Sequence, residues 1–475
     1  MNKTQLKKIK KTILKKEILV FDQLTKKQKT ELFKFSESYK NFLNQSKTER
    51  EAARQIVQIA TAKGFVDIDT LLTKKPKNSQ KVYKIFQGRC VALAILGKET
   101  LVSGANIIAS HIDSPRLDLK QNPVYEDLSI GLMKTHYYGG IRKYHWLAVP
   151  LALHGTIITS HNETIDITIG EDPDDPVFTV TDLLPHLAGK TQANKKLSEV
   201  FEGEKLNLIA GSIPLGNDEE KNRFKLGVLN LLYEKYGFTE EDFISAEIEA
   251  VPAEKARDVG FDRSMIGSYG QDDRICAYTS LEAILDTQHP NKTAIALFFD
   301  KEEIGSEGSS GAKSNFLEDF MSDLLFIKGQ NTDNRCLRKA LINSSCLSAD
   351  VNAAMDPDFK DVHEAMNAAK LGFGICMTKF TGVGGKSGSS DASAEFVGKI
   401  RQMFNKNKIV WQTGELGKID QGGGGTVAKF LAKSGMNVLD CGPAILSMHS
   451  PFEVSSKADV FMTHLGYKAF YSDNG

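Results

Sequence analysis

The sequence predicts an α/β protein: a doubly wound mixed sheet into which a β-rich module is inserted. Three observations predict it. Four short apolar runs, at 106–110, 293–299, 344–348 and 436–439 with 444–448 beyond, stand out, and the first three alternate with helical stretches as buried strands of such a sheet do. The segments 49–63 and 279–285 carry apolar residues at helical spacing. Between residues 118 and 249 the texture changes to strands and loops.

That middle third holds Tyr137-Tyr138-Gly139-Gly140, a β-like run at 146–159 and strict alternation at 164–169. The turn-forming Glu171-Asp172-Pro173-Asp174-Asp175-Pro176 follows, and then the charged stretch 216–221. The expected organisation is a discontinuous outer domain, 1–117 and 255–475, around an insert at 118–254. A chain of 475 residues has room for two or three such units.

Composition removes several function classes. Sixty basic residues balance sixty acidic ones, so a dedicated nucleic-acid binder, with its basic excess, is not expected. No apolar run approaches the ~18 residues that span a bilayer. Residues 1–16 hold seven lysines and no acid, which reads as a solvated helix face. The apolar stretch at 18–21 is too short for the core of a signal peptide. Six cysteines lie far apart without a CxxC pair, which fits a reduced cytoplasm and excludes both a disulfide scaffold and a cysteine zinc knuckle.

The chemistry gathers where the apolar runs end. The first leads into His111-Ile112-Asp113-Ser114-Pro115 and the second into Asp300-Lys301-Glu302-Glu303-Ile304-Gly305. The third leads into Ala349-Asp350, the last ends at His449-Ser450-Pro451, and Gly270-Gln271-Asp272-Asp273-Arg274 opens a helical stretch. Open α/β sheets bind ligands beyond the carboxyl ends of their strands. Imidazole and carboxylate ligands without thiolate are those of a hydrolytic zinc, cobalt or manganese centre. Paired acids such as Glu302-Glu303, placed directly after a buried strand, are desolvated at a cost that a cation offsets.

In these five motifs, with Gln271-Asp272-Asp273 and Ser447-Met448-His449-Ser450 among them, the chain resembles the aspartyl aminopeptidase/aminopeptidase I family of binuclear zinc metallo-aminopeptidases. Their order matches, and the resemblance spans nearly the whole chain. It implies a zinc-exopeptidase-like catalytic domain with an inserted dimerisation domain, and release of acidic or neutral N-terminal residues from peptides with a free N-terminus. It implies two divalent ions, zinc first, with cobalt or manganese as alternatives. His111 and Asp350 would bind one, Glu303 and His449 the other, and Asp272 would bridge them. Glu302 would be the general base on a water shared by the ions, and Asp113 would orient His111. Asp273 is expected at the helix start or as a partner behind the ligands. A cytoplasmic homo-oligomer is implied as well, a dodecamer built from dimers. In some members a neighbouring subunit places a histidine in the active site; His186 is the candidate here, although the family's histidine often stands four residues further on, at Lys190.

Other motifs weigh less. Gly382-Val383-Gly384-Gly385-Lys386-Ser387 lacks the first glycine of a P-loop, where Phe380 stands. Lys386 could receive an acidic substrate side chain or be a solvated lysine. Gly422-Gly423-Gly424-Gly425 could present backbone N–H groups to an anion or permit close backbone packing. Two other readings of the centre remain at this stage: a co-catalytic-metal carboxypeptidase or deacylase, which needs a basic group for a substrate carboxylate, and a non-catalytic scaffold, which would not retain the base and the bridge.

Overall fold

In the computed structural model, which describes residues 1–72 and 80–473, the apolar runs lie side by side. The strands Thr293–Phe299, Ala105–His111, Ser345–Ser348 and Asn437–Gly442 are parallel neighbours, in that order, at the centre of a nine-stranded sheet. Lys81–Phe86 and Cys90–Ile95 extend one side antiparallel, and Ile375–Thr378 joins the other side antiparallel. From Ala105–His111 the chain moves first to one flank and then to the other, so the strand order reverses beside this strand. Its carboxyl end is therefore the ligand crevice of a doubly wound sheet.

Both faces of the sheet are covered. Ile107, Ala109, Ile295 and Leu297 pack with the helices Phe316–Ile327 and Asn334–Ile342. Ile108, Ala296, Phe298 and Leu347 face the helices Lys26–Asn44, Gln271–Leu285 and Lys457–Tyr471. Neighbouring residues of one strand thus enter opposite cores, which is why these runs read as continuously apolar. The helix predicted at 49–63 is Glu49–Ala62, and Thr48 caps it reciprocally with Glu51. The lysine-rich start forms the helix Lys3–Ile13 with no buried residue.

A second sheet of six antiparallel strands is built entirely from residues 116–252. Its order is Thr164–Ile169, Leu151–Ile158, Glu247–Pro252, Arg116–Asp127, Ile130–Tyr138, Leu208–Gly211. It has its own core, including Leu117, Trp146, Leu153, Ile248 and Val251. Two details depart from expectation. The run at 146–159 starts as strand only at Leu151, because Lys143–Trp146 is a 3-10 turn. The helix Arg223–Tyr236 also lies in this region; its apolar residues ring it, with Val228 buried and Leu231 and Tyr233 exposed, so no single stripe marks it. Residues 444–446 do not join the large sheet but a five-stranded one with Met265–Ser268 and Glu453–Ser456.

Buried charge ties the two large sheets together. Arg116 Nε lies 2.8 Å from Asp118 and 3.1 Å from Glu249, and Nη1 lies 3.3 Å from Glu49. Arg89 reaches the same Glu49 at 3.7 Å and Asp300 at 3.5 Å. Burial pushes the Glu49 carboxyl up, but the charges of Arg116 and Arg89 outweigh it and hold it down at about 2. All six cysteines are free, and among the described residues no helix is long and apolar enough to cross a membrane. Arg116→Met would strand Glu49 and Glu249 without their shared cation. The variant should lose about 3–5 kcal/mol of stability, read as a lower urea midpoint with unchanged slope; a midpoint equal to wild type would show the network to be inert.

Candidate metal centre

Five elements deliver side chains to one point. His111 ends its strand, Asp350 stands two residues past Ser348, and Glu302 and Glu303 open the 3-10 turn Glu302–Ile304 just after Phe299. Asp272 is the second residue of Gln271–Leu285, and the Asp272-Asp273 peptide is cis. His449 lies in the turn between Ala444–Leu446 and Glu453–Ser456, at φ +64°.

The geometry centres on Asp272. Its Oδ1 lies 3.2 Å from His111 Nε2 and its Oδ2 lies 3.2 Å from His449 Nε2. Asp350 Oδ1 stands 3.9 Å from His111 Nε2, and Glu303 Oε1 stands 3.4 Å from His449 Nε2. Among the described residues two groups could each hold a metal ion, His111 with Asp272 and Asp350, and Asp272 with Glu303 and His449. Asp272 belongs to both.

Behind these groups stands a layer of hydrogen bonds. Asp113, fully buried, approaches His111 Nδ1 through its carbonyl at 3.1 Å and Oδ1 at 3.3 Å. It accepts the backbone N–H of Glu302 and of Glu303, each at 3.1 Å, and the Tyr138 hydroxyl at 2.9 Å. Asp273 accepts the backbone N–H of His111 at 3.4 Å. Glu453, 1 % exposed, accepts the N–H of Asp272 at 3.1 Å with one oxygen and that of His449 at 2.7 Å with the other. Gly140, in the turn that follows the second sheet's strand Ile130–Tyr138, offers its carbonyl to His449 Nδ1 at 2.8 Å.

Tyr138, Gly140 and Glu453 were not legible as site residues. Tyr138-Gly139-Gly140 signals only strand and turn, and a lone acid four residues past His449 carries no pattern.

Electrostatics set this crevice apart. Burial pushes Glu303 and Asp350 well above the usual carboxylate range, and raises Glu302 to about 7 and Glu453 to about 8. Burial also pushes Asp272 up, but hydrogen bonds with His111 and His449 reverse that and leave it low. For His449 burial favours the neutral ring, yet the charge of Glu303 and the contact with Asp272 lift it to about 11. One Glu303 oxygen has no hydrogen-bond partner although the side chain is 4 % exposed. Crowded carboxylates, an orphaned oxygen and two imidazoles make an oxygen–nitrogen donor set that suits zinc.

The site opens into a cavity of about 400 Å³. Lys386 lines it, with Nζ 3.2 Å from Asp391 and 3.9 Å from the Phe380 ring centre. The loop Gly422-Gly423-Gly424-Gly425 forms another wall. A Cβ on Gly422 would meet Leu416 O at 2.2 Å and one on Gly423 would meet Gly382 O at 2.1 Å, so close backbone packing requires these glycines. His186 lies elsewhere, on the exposed helix Pro185–Thr191, and does not line the cavity of its own chain.

Residues 42–471 match the family described as Aminopeptidase I zinc metalloprotease (M18). The chain belongs to this family. A "Probable M18 family aminopeptidase 1" of Clostridium acetobutylicum is 49 % identical over 463 residues, covering 97 % of this chain and 99 % of that one. The crystal structure of an M18 family aminopeptidase from Thermotoga maritima superposes with a TM-score of 0.93 at 47 % identity, over 97 % of this chain and 100 % of that one. The mApe1 dodecamer of S. cerevisiae, 20 % identical with a TM-score of 0.73 over 92 % of this chain and 95 % of that one, shares the fold. The chain is thus a metal-dependent aminopeptidase, and the carboxypeptidase, deacylase and scaffold readings give way.

The raised carboxyls carry a pH signature. A carboxyl whose folded value exceeds its ordinary one near 4.5 stabilises the fold below that value and loses the contribution as pH rises through the folded value. With Glu302 at about 7 and Glu453 at about 8, the metal-free aminopeptidase should melt lower as pH climbs from about 5 to 8. Zinc should restore more stability at the upper end, because binding displaces protons. Calorimetry with chelator and with zinc reads the gap; one constant across pH would contradict this account.

Proposed function

We propose that this aminopeptidase is binuclear and that Glu302 is its general base. The observation that carries this reading is the two-sided Asp272, whose oxygens face opposite imidazoles and so can serve two cations at once. His111 and Asp350 would complete one ion's set and Glu303 and His449 the other's, with zinc as the metal and cobalt or manganese as alternatives. Such cations supply Lewis acidity toward the scissile carbonyl and toward the attacking water.

The chain's own residues do the rest. Glu302 lines the cavity beside the candidate ligands, where a carboxylate can take a proton from the attacking water and return it. It accepts the water's proton as the nucleophile attacks and delivers it to the leaving amine. Asp113 holds the turn that carries Glu302 and Glu303 by accepting both backbone N–H groups, and orients His111 from behind.

Substrates are peptides with a free N-terminus, and acidic or neutral first residues both find complementary walls. Lys386 stands ready for a carboxylate once it leaves Asp391, and Phe380, Ile419 and Met448 offer apolar surface. In this reading residues 1–117 and 255–475 form the catalytic domain and 118–254 the dimerisation insert. The assembly is a dodecamer built from dimers, in which the exposed His186 serves a neighbouring subunit's cavity. The balanced charge and dispersed free cysteines fit a cytoplasmic enzyme without nucleic-acid or membrane partners.

Glu302→Gln should cut kcat by about 10²–10⁴-fold while zinc content stays at the wild-type level; undiminished turnover would remove Glu302 from the mechanism. On a panel of acidic and apolar aminoacyl substrates, Lys386→Met should lower kcat/KM for acidic residues by about tenfold or more and leave apolar ones unchanged. An equal effect on both classes would show that Lys386 does not read the side chain.

A further inference from the structure

Tyr138 ends a strand of the antiparallel sheet and Gly140 lies in the turn that follows it, away from the elements that carry the candidate ligands, yet both reach the metal centre. Gly140 O accepts from His449 Nδ1 at 2.8 Å while the opposite nitrogen, Nε2, faces Asp272 and Glu303. A proton held at Nδ1 leaves the Nε2 lone pair free for a cation. The imidazole needs this hold: its side chain is 31 % exposed and it stands on a turn at φ +64°.

Tyr138 acts on the other half. Its hydroxyl donates to Asp113, and Asp113 in turn contacts His111 Nδ1 and both N–H groups of Glu302 and Glu303. The Tyr138 ring is itself pinned, with the Arg116 guanidinium 3.9 Å from its centre. Arg116 is anchored to Glu49 on one side and Glu249 on the other. The turn also lies tight against the ligands: a Cβ on Gly139 would come 3.3 Å from Glu303 Cβ, and one on Gly140 would come 3.3 Å from His449 Nδ1.

We infer that the antiparallel sheet and the turn that leaves its strand Ile130–Tyr138 are a working part of the metal centre: through Gly140 and Tyr138 they position the histidine side of each ion site, so that ion affinity depends on how this sheet is docked. Tyr138 and Gly140 are positioning residues, acting through His449 and Asp113. The inference rests on the two-ion reading of the site. It assigns the insert a second task beside assembly. A displacement of the insert, by a neighbouring subunit or by substrate, would be felt first at His449, because its Nδ1 contact is made by the insert's own backbone.

Zinc titration of the metal-free protein against a competing chelator tests this directly, without reference to turnover. Asp350→Asn and Glu303→Gln assign the two binding steps, since each removes ligands from one ion only. Gly140→Ala should weaken the step that Glu303→Gln removes, and Tyr138→Phe the step that Asp350→Asn removes, each by about 10–100-fold as expected for partners behind a ligand. In Gly140→Ala the other step should stay within about threefold; in Tyr138→Phe both steps feel the change, because Asp113 also holds the N–H of Glu303, and the step that Asp350→Asn removes should fall further. Leu128→Ala, at the exposed far tip of the same hairpin, should match wild type in both steps.

Thermal melting of the metal-free variants runs alongside. Tyr138→Phe keeps the ring against Arg116 and should melt with wild type; if Gly140→Ala does not, the Tyr138→Phe arm decides. Wild-type affinity in both steps of Tyr138→Phe, or equal loss of both steps in step with a lowered melting temperature, would overturn the inference. Wild-type protein that takes up only one zinc would instead overturn the binuclear reading, which keeps the two failures distinct.

Discussion

Carboxylates crowded into a largely buried crevice dominate this protein's physics. Glu302, Glu303 and Asp350 stand past the carboxyl ends of the two parallel strands that flank Ala105–His111, with Asp272 between two imidazoles, and burial drives the first three toward the protonated form. Desolvated like charges are costly alone and favourable around cations. The surrounding architecture can be understood as what holds this unfavourable cluster in place. The nine-stranded sheet supplies rigid strand ends, and strand-order reversal opens a crevice above them.

Holding the cluster falls to groups that touch no substrate. Asp113 and Glu453 are buried carboxylates whose oxygens accept backbone N–H groups of the turns that carry the candidate ligands. Each ties two ligand-bearing segments at once, Asp113 the strand end at His111 to the Glu302-Glu303 turn, Glu453 the helix start at Asp272 to the turn at His449. Fixing the backbone of these turns holds the candidate ligands in place, as a site that must keep its geometry to within about 0.5 Å requires. The five-stranded sheet, which joins the strand before Asp272 to the strand that begins at Glu453, exists in the structure at the place where this tie is made.

Much of the fold was legible because its signals are local. The strands predicted at 293–299 and 164–169 match their observed bounds, since continuous apolar runs and strict alternation report burial on two faces or one. The helix Arg223–Tyr236 was not legible because its apolar residues face several ways, and the start of the run at 146–159 was misplaced because a 3-10 turn carries the same apolar composition as a strand. At the site, His111, Asp272, Glu302, Glu303, Asp350 and His449 could be named from strand ends and motif order, and they converge. His186 could be named but lies away from its own chain's cavity.

The sequence by itself placed histidines and paired acids at the ends of apolar runs, and its resemblance to the aminopeptidase I family named which of them could serve as ligands and base. Tertiary structure alone decided how they are held. Glu453 reaches Asp272 across 181 positions and Gly140 reaches His449 across 309, through a backbone carbonyl that every residue possesses. A hydrogen bond to the main chain leaves no mark in residue type, and contacts so distant in the chain leave none in spacing.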